Sequence, residues 1–300
     1  MEKSLKLIKL YTHICELYES DLQWEVQRFS PNGQLGQITD QELLTISLFC
    51  TMYEQKTTQK AMYDHIVDYW HSWFPTLPTY KNVNTRLNRL VDAYHLLLSL
   101  SMETFELSGD KLPILIGDSM PIISCSHKRN PKVALNSTDK GYCATKKMNY
   151  YGVKLHSLGL HRKGKLPFPQ KIGITPASTH DLTALRPVLE VTNTEATFLD
   201  KAYCDKELAK KMTENDNCLL TPVKKIKGTP LVIEQFDKAA NDLFSTAVAT
   251  IRQPVESFYN WIQQKTNIHI ASKVGLKMDY SFIFTLNWLL LSCFYLNFNP

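Results

Sequence analysis

Pro113-Ile114-Leu115-Ile116-Gly117-Asp118 and Ala196-Thr197-Phe198-Leu199-Asp200 are the two runs on which the fold turns. Each is a short apolar stretch, bounded by a turn former or a charge, that closes on an aspartate. Runs of this length suit buried strands better than helices, which need ten residues or more to bury a face. Working outward, further strands are expected at Pro121–Ser124, Tyr151–Leu160, Lys171–Thr175 and Cys218–Thr221. Between them lie the helical stretches Asp181–Val191, capped by Thr179 or Asp181, and Lys206–Thr213. From about Val232 the pattern is helical. Strands that come first and then alternate with helices indicate an α/β core wrapped by helical segments.

The chain before this core reads differently. Leu5, Leu7, Ile8, Tyr11, Ile14, Cys15 and Tyr18 recur three or four residues apart, the period of a helix face. Pro31-Asn32-Gly33 breaks the pattern, and Thr39-Asp40-Gln41-Glu42 then opens a helix through Met52 with a capping box, Thr39 at the cap and Glu42 three residues on. Further helices are expected over Thr58–Phe74 and Val83–Ser101, with Pro75 and Pro78 in the turn between them. Residues 1–110 therefore form a helical N-terminal region. Its last two helices have the spacing of a helix-turn-helix unit, with Arg86 and Arg89 expected on the exposed side of the second. Packing against the core, or dimerisation, would account for the same helices.

A hydrophobic fraction of 44% and a charged fraction of 21% are those of a folded globular chain and argue against disorder. Net charge is only +5, but it is unevenly placed. Between Cys125 and Gly173 there are eleven Lys or Arg residues and one acid, Asp139, which suggests a local phosphate or nucleic-acid footprint. Seven cysteines without a Cys-x-x-Cys pair argue against a zinc ribbon, and with no secretion signal evident they are expected reduced in a cytoplasmic protein. The uncharged stretch Ser281–Leu296 is shorter than the roughly 20 residues of a membrane-spanning helix and is expected to be a buried C-terminal helix.

The two strand-end aspartates are the informative chemistry. A carboxylate at a strand end lies at the rim of an open sheet, where ligands bind. Two carboxylates brought together repel, and a divalent cation relieves that repulsion; hard oxygen donors favour Mg²⁺ or Mn²⁺. Two such ions, about 4 Å apart, can hold the attacking and leaving oxygens of a phosphoryl transfer. The expected third acid is Glu256, which follows the helix-starting Gln253-Pro254 and lies near Arg252. Taken singly, each acid also fits a turn or a helix N-terminus, which favours carboxylates without any metal.

The local wording resembles a known family. Ile116-Gly117-Asp118-Ser119-Met120-Pro121, Tyr151-Gly152-Val153-Lys154-Leu155-His156, Leu199-Asp200-Lys201-Ala202-Tyr203 and Arg252-x-x-x-Glu256 occur in the order seen in DDE transposases of bacterial insertion sequences. Thr39-Asp40-Gln41-Glu42-Leu43-Leu44-Thr45-Ile46-Ser47 and Arg86-Leu87-Asn88-Arg89-Leu90 look like the insertion-sequence-982 family. The resemblance implies an RNase H-like mixed five-stranded sheet flanked by helices, occupying residues 111–300 with its C-terminal helices. It implies that Asp118 ends the first strand, Asp200 ends the fourth, and Glu256 sits on a following helix, the three being catalytic and ligating two Mg²⁺ or Mn²⁺ ions. Lys154 and His156 match a Lys-x-His element expected near the scissile phosphate, and Thr179-His180-Asp181 is read as a structural cap. The chain departs from a related branch at Ala249, where a Tyr would stand, and at Gln263, where a Lys would stand.

The expected function is a transposase that cuts and joins DNA at insertion-sequence ends. Lys128, Arg129, Lys146, Lys147, Lys154, His156, Arg162, Lys163 and Arg252 are the expected DNA contacts. The partner is double-stranded DNA, both transposon ends and target, with no membrane involved. Synapsis of two ends implies a homodimer or a larger assembly, and a bacterial cytoplasmic, nucleoid-associated location follows. The alternatives are a nuclease of the same fold without strand transfer, and a non-catalytic DNA-binding derivative.

Overall fold

A computed structural model describes residues 2–26, 36–103, 113–126, 138–144, 146–224, 228 and 230–266. These residues pack as two compact units, one built from the helices up to residue 103 and one from the strands and helices of residues 113–263.

The first unit contains α1 (Lys3–Ser20), α2 (Asp40–Glu54), α3 (Gln59–Tyr69), α4 (Tyr80–Arg89) and α5 (Val91–Glu103). Its centre is α2, in which every residue from Leu43 to Met52 is buried. The capping box forms as expected: the Glu42 amide donates to Thr39 Oγ1 at 3.1 Å, and the Thr39 amide donates to Glu42 Oε2 at 2.6 Å. The buried hydroxyls of α2 turn back on their own helix, Thr45 onto Gln41 O and Thr51 onto Ser47 O, each at 2.7 Å, so their burial leaves no orphaned donor. Three expectations are corrected. The helix expected over Val83–Ser101 is two, α4 and α5, with Leu90 outside both. The helix expected over Thr58–Phe74 stops at Tyr69 and gives way to a short 3-10 turn. Arg86 is not displayed to solvent; it donates to Ile38 O and to Asp40 Oδ1, the latter at 2.5 Å, and so neutralises a carboxylate that is only 3% exposed.

The second unit is a mixed sheet of β1 (Ile114–Ser126), β2 (Asp139–Cys143), β3 (Met148–Leu160), β4 (Phe168–Pro176), β5 (Ala196–Phe198) and β6 (Cys218–Leu220). Strand β1 runs antiparallel to β3 and parallel to β5, and β5 runs parallel to β6. The outer edge of β3 is shared: residues 148–152 pair with β2, and residues 153–160 pair with β4. The order β4-β3-β1-β5-β6 is therefore the expected five-stranded sheet, and β2 adds a sixth strand beyond it. Helices α6 (Asp181–Leu189) and α7 (Lys206–Glu214) bury Leu185, Leu189, Leu208 and Met212 against Leu158 and Leu199. Helices α8 (Leu231–Phe236), α9 (Lys238–Arg252) and α10 (Pro254–Thr266) complete the unit. This is an α/β architecture of the RNase H-like kind, preceded by a helical region.

One long strand replaces two expected short ones. β1 passes through Asp118 and Pro121 without a break, so Asp118 lies within a strand and not at its end. Strand β5 accompanies β1 only as far as Ile116, which leaves one side of β1 without a strand neighbour among the described residues beyond that point. A proline, having no amide hydrogen to contribute to a ladder, is tolerated on such an unpaired side. The cap of α6 is also not the one expected: His180 Nδ1 accepts from the Leu182 amide at 3.3 Å. Among the described residues no helix is long and apolar enough to cross a membrane, and Ser281–Leu296 lies outside them. None of the six described cysteines is in a disulfide among the described residues.

Candidate active site

Strand register brings the two aspartates together. Ile116 pairs with Phe198 in the parallel β1–β5 ladder, and the same register carried two residues further sets Asp118 opposite Asp200. Asp200 has by then left the strand and stands at the N-cap of the 3-10 turn Lys201–Tyr203. Residue alternation fixes which way Asp118 faces. Asp118 pairs with Ser157 and Met120 with Leu155, so these four share one face of the sheet. That face carries α10.

Three contacts fasten α10 and the end of α9 to β1. Arg252 Nη1 donates to Asp118 Oδ2 at 2.5 Å, while its Nη2 donates to Glu256 Oε1 at 3.0 Å. Tyr259 donates its hydroxyl hydrogen to Asp118 O at 2.5 Å and so accepts from the Ser157 hydroxyl at 2.8 Å. Gln263 Nε2 points to Met120 Sδ at 2.9 Å. Glu256, Tyr259 and Gln263 are three and then four residues apart, which stacks them along one helix face. Val255, Phe258 and Ile262 are buried beside them. Pro254 at the first helical position starts the helix at the place where its missing amide hydrogen costs nothing, which sets Glu256 in the first turn.

The electrostatics follow from this crowding. Burial pushes the Asp118 carboxyl up to about 6; the Arg252 guanidinium and the Ser119 amide oppose that rise, and the neighbouring charge of Asp200 adds to it. Burial likewise works against the charge of Arg252, yet Asp118, Asp200 and Glu256 together outweigh it and hold the guanidinium more firmly protonated than usual. Arg252 Nε is buried with no acceptor among the described residues. One cation thus serves three carboxylates while one of its own donors goes unpaired.

The expected DNA contacts are scattered. Lys128 and Arg129 lie outside the described residues. Lys146 and Lys147 are exposed in the turn before β3, and Lys163 is exposed in the turn after it. Strand β3 has 13 residues, so these two turns lie roughly 40 Å apart at ~3.3 Å per residue. A tract continuous in sequence is therefore carried to both ends of one strand. Arg162 donates from Nε and Nη2 to Leu166 O, at 3.0 and 2.6 Å. Lys154 and His156 alternate with Leu155 and Ser157 and so point to the face opposite Asp118. There Lys154 Nζ donates to Thr179 O at 2.9 Å and to Asp181 Oδ1 at 3.1 Å. His156 is 1% exposed, hydrogen-bonds Thr175 Oγ1 at 2.7 Å, and is pushed by burial down to about 4. Asp181 accordingly serves Lys154, on the far face from Asp118.

The donor set has the chemistry of a divalent-ion site: carboxylate oxygens only, one of them resisting ionisation, and a side-chain cation already drawn among them. Among the described residues, however, no three acidic, histidine or cysteine side chains are gathered tightly enough to hold an ion as they stand. Tyr259 is the participant that sequence reading missed. Its signal was the spacing of three residues from Glu256, which puts both on one helix face.

The α/β unit thus sets Asp118, within β1, near Asp200, two residues beyond the end of β5, with the helix that carries Glu256 fastened to the Asp118 face. Residues 108–251 match a family model described as a transposase DDE domain, and this match supports a DDE transposase. The matched span includes Asp118 and Asp200 and stops one residue short of Arg252, so Glu256 lies beyond it. No curated protein and no solved structure matches the chain.

Proposed function

We propose that this chain is a transposase of the insertion-sequence-982 kind, cutting and joining DNA at the ends of its element with Asp118, Asp200 and Glu256 as the catalytic acids. The observation that carries this reading is that Asp118 and Asp200, each two residues past the last pair of the β1–β5 ladder, lie close enough for their charges to act on each other, with Arg252 linking Asp118 to the helix of Glu256. Two Mg²⁺ or Mn²⁺ ions held by the three carboxylates would activate the attacking oxygen and stabilise the leaving one. Asp118 would supply a ligand from within β1, Asp200 one from the turn after β5, and Glu256 one from α10. Tyr259 keeps α10 in place by its bond to the main chain of Asp118. Arg252 bridges Asp118 and Glu256 and can meet a phosphate there.

DNA follows from the same reading, with Lys146, Lys147, Arg162 and Lys163 as backbone contacts and the helices of residues 1–110 as the reader of the terminal sequence. Lys154 acts from the other face, by seating the start of α6, and His156 by its bond to Thr175 of β4. A dimer or larger assembly holding two ends, working on the bacterial nucleoid, completes the proposal. The test is cleavage of a plasmid carrying the element's ends in Mg²⁺ or Mn²⁺, wild type against Asp118→Ala. Metal-dependent cutting that vanishes in the variant, with joined products from the wild type, is the expected result. Cutting that survives the substitution overturns the assignment of Asp118, and cutting without any joined product leaves a nuclease.

A further inference from the structure

Arg252 bridges two of the three acids that are the proposed metal ligands. Its two terminal nitrogens reach Asp118 Oδ2 and Glu256 Oε1, at 2.5 and 3.0 Å, and the charge of Asp200 also acts on it. A guanidinium serving as a permanent structural tie would have its five donors satisfied, because an unpaired buried donor is costly. Here Nε is buried with no acceptor among the described residues. The residue also lies at the last turn of α9, where Gln253 separates α9 from α10, so its side chain spans a junction and is not locked inside one helix. Glu256, the other end of the bridge, has a side chain 59% exposed.

We propose that Arg252 is the counter-ion of the acidic site in the metal-free protein and competes directly with divalent ions for Asp118 and Glu256. It is a positioning residue with two states. In one it holds the carboxylates together and offsets their mutual repulsion before any ion arrives. In the other the carboxylates have been surrendered to the ions, and the guanidinium is left free to face an incoming phosphate. The bridge would keep the acids assembled in metal-poor conditions at the expense of affinity for the first ion. This inference rests on the proposed metal-binding role of the acids.

Mn²⁺ binding to the full chain, followed by electron paramagnetic resonance in the absence of DNA, tests it without reference to activity. If Arg252 competes, Arg252→Gln binds Mn²⁺ more tightly than wild type by roughly tenfold, since one part-buried charge pair no longer has to be opened. Arg252→Lys keeps the charge but loses the two-ended fork, and its affinity lies between the two. The sign is diagnostic, because a residue that merely supported the site would weaken ion binding when removed. Equal or weaker Mn²⁺ binding by Arg252→Gln overturns the inference while leaving the metal reading intact. Arg252→Lys indistinguishable from wild type also overturns it, since charge without bridging would then explain the effect; this variant decides alone if Arg252→Gln does not fold. No Mn²⁺ binding by wild type or variants overturns the metal reading and this inference together.

Discussion

Tyr259→Phe isolates the tie between the Glu256 helix and the Asp118 strand. The side chain is buried, and its hydroxyl serves two partners, donating to Asp118 O at 2.5 Å and accepting from Ser157 Oγ at 2.8 Å. Phenylalanine fills the same space, so no cavity contributes. What remains is the Ser157 hydroxyl, itself only 4% exposed, stripped of its acceptor, and a carbonyl with one contact fewer. Leaving such groups unsatisfied costs about 1–3 kcal/mol. A unit of this size loses about 2–4 °C per kcal/mol, so a mid-range cost of about 2 kcal/mol lowers the melting temperature by about 4–8 °C. Differential scanning fluorimetry of both proteins in metal chelator reads this directly. The same variant should lose metal-dependent cleavage at temperatures where it is still folded, because Glu256 stands one helical turn from the lost bond. A melting temperature indistinguishable from wild type, with cleavage unchanged, refutes the argument that this hydroxyl seats the helix.

His156 gives a pH signature. Burial lowers it from 6.5 to about 4, so the folded state binds its proton less readily than the unfolded chain; stability present above the unfolded value is lost as pH falls through that window, by up to about 3 kcal/mol. Urea midpoints between about pH 7 and pH 4.5 should fall less in His156→Gln than in wild type, and parallel curves would show that His156 is not the source. Gly152→Ala is expected to destabilise the second unit by about 1–3 kcal/mol or more, since a Cβ there would lie 2.0 Å from Ile122 O in the neighbouring strand. Gly173→Ala meets nothing within 4 Å and serves as the control, its urea midpoint unmoved; equal effects at the two glycines would refute the steric account.

What could be read in advance was whatever depended on near neighbours in the chain. Thr39 and Glu42 sit one helical turn apart and form their box, and Pro254 sets the start of the helix that carries Glu256. The apolar runs before Asp118 and Asp200 became neighbouring parallel strands, Ile114–Ile116 paired with Ala196–Phe198. What escaped depended on distant partners. Pro121 argued for two strands around a break, but β5 ends before reaching it, so one strand continues. Strand β2, Asp-Lys-Gly-Tyr-Cys, has little strand propensity and exists because the first residues of β3 offer an unpaired edge. The basic tract is continuous in sequence, yet β3 carries its exposed members to opposite ends, and alternation turns Lys154 and His156 away from Asp118. Arg86 looked like a surface cation until the buried Asp40 claimed it.

The bond from Tyr259 to Asp118 joins residues 141 positions apart, and that from Arg252 spans 134. At roughly 5–20 residues per second a ribosome needs about 7–28 s to travel the longer distance. For all that time Asp118 has emerged without the helix that completes its surroundings. A nascent chain, or one cut short before the end of α9, can lay down β1, β3 and β5 but lacks Arg252, Glu256 and Tyr259. On the proposed function, DNA cleavage would thus wait until synthesis has passed Tyr259, a safeguard written into the order of the elements along the chain.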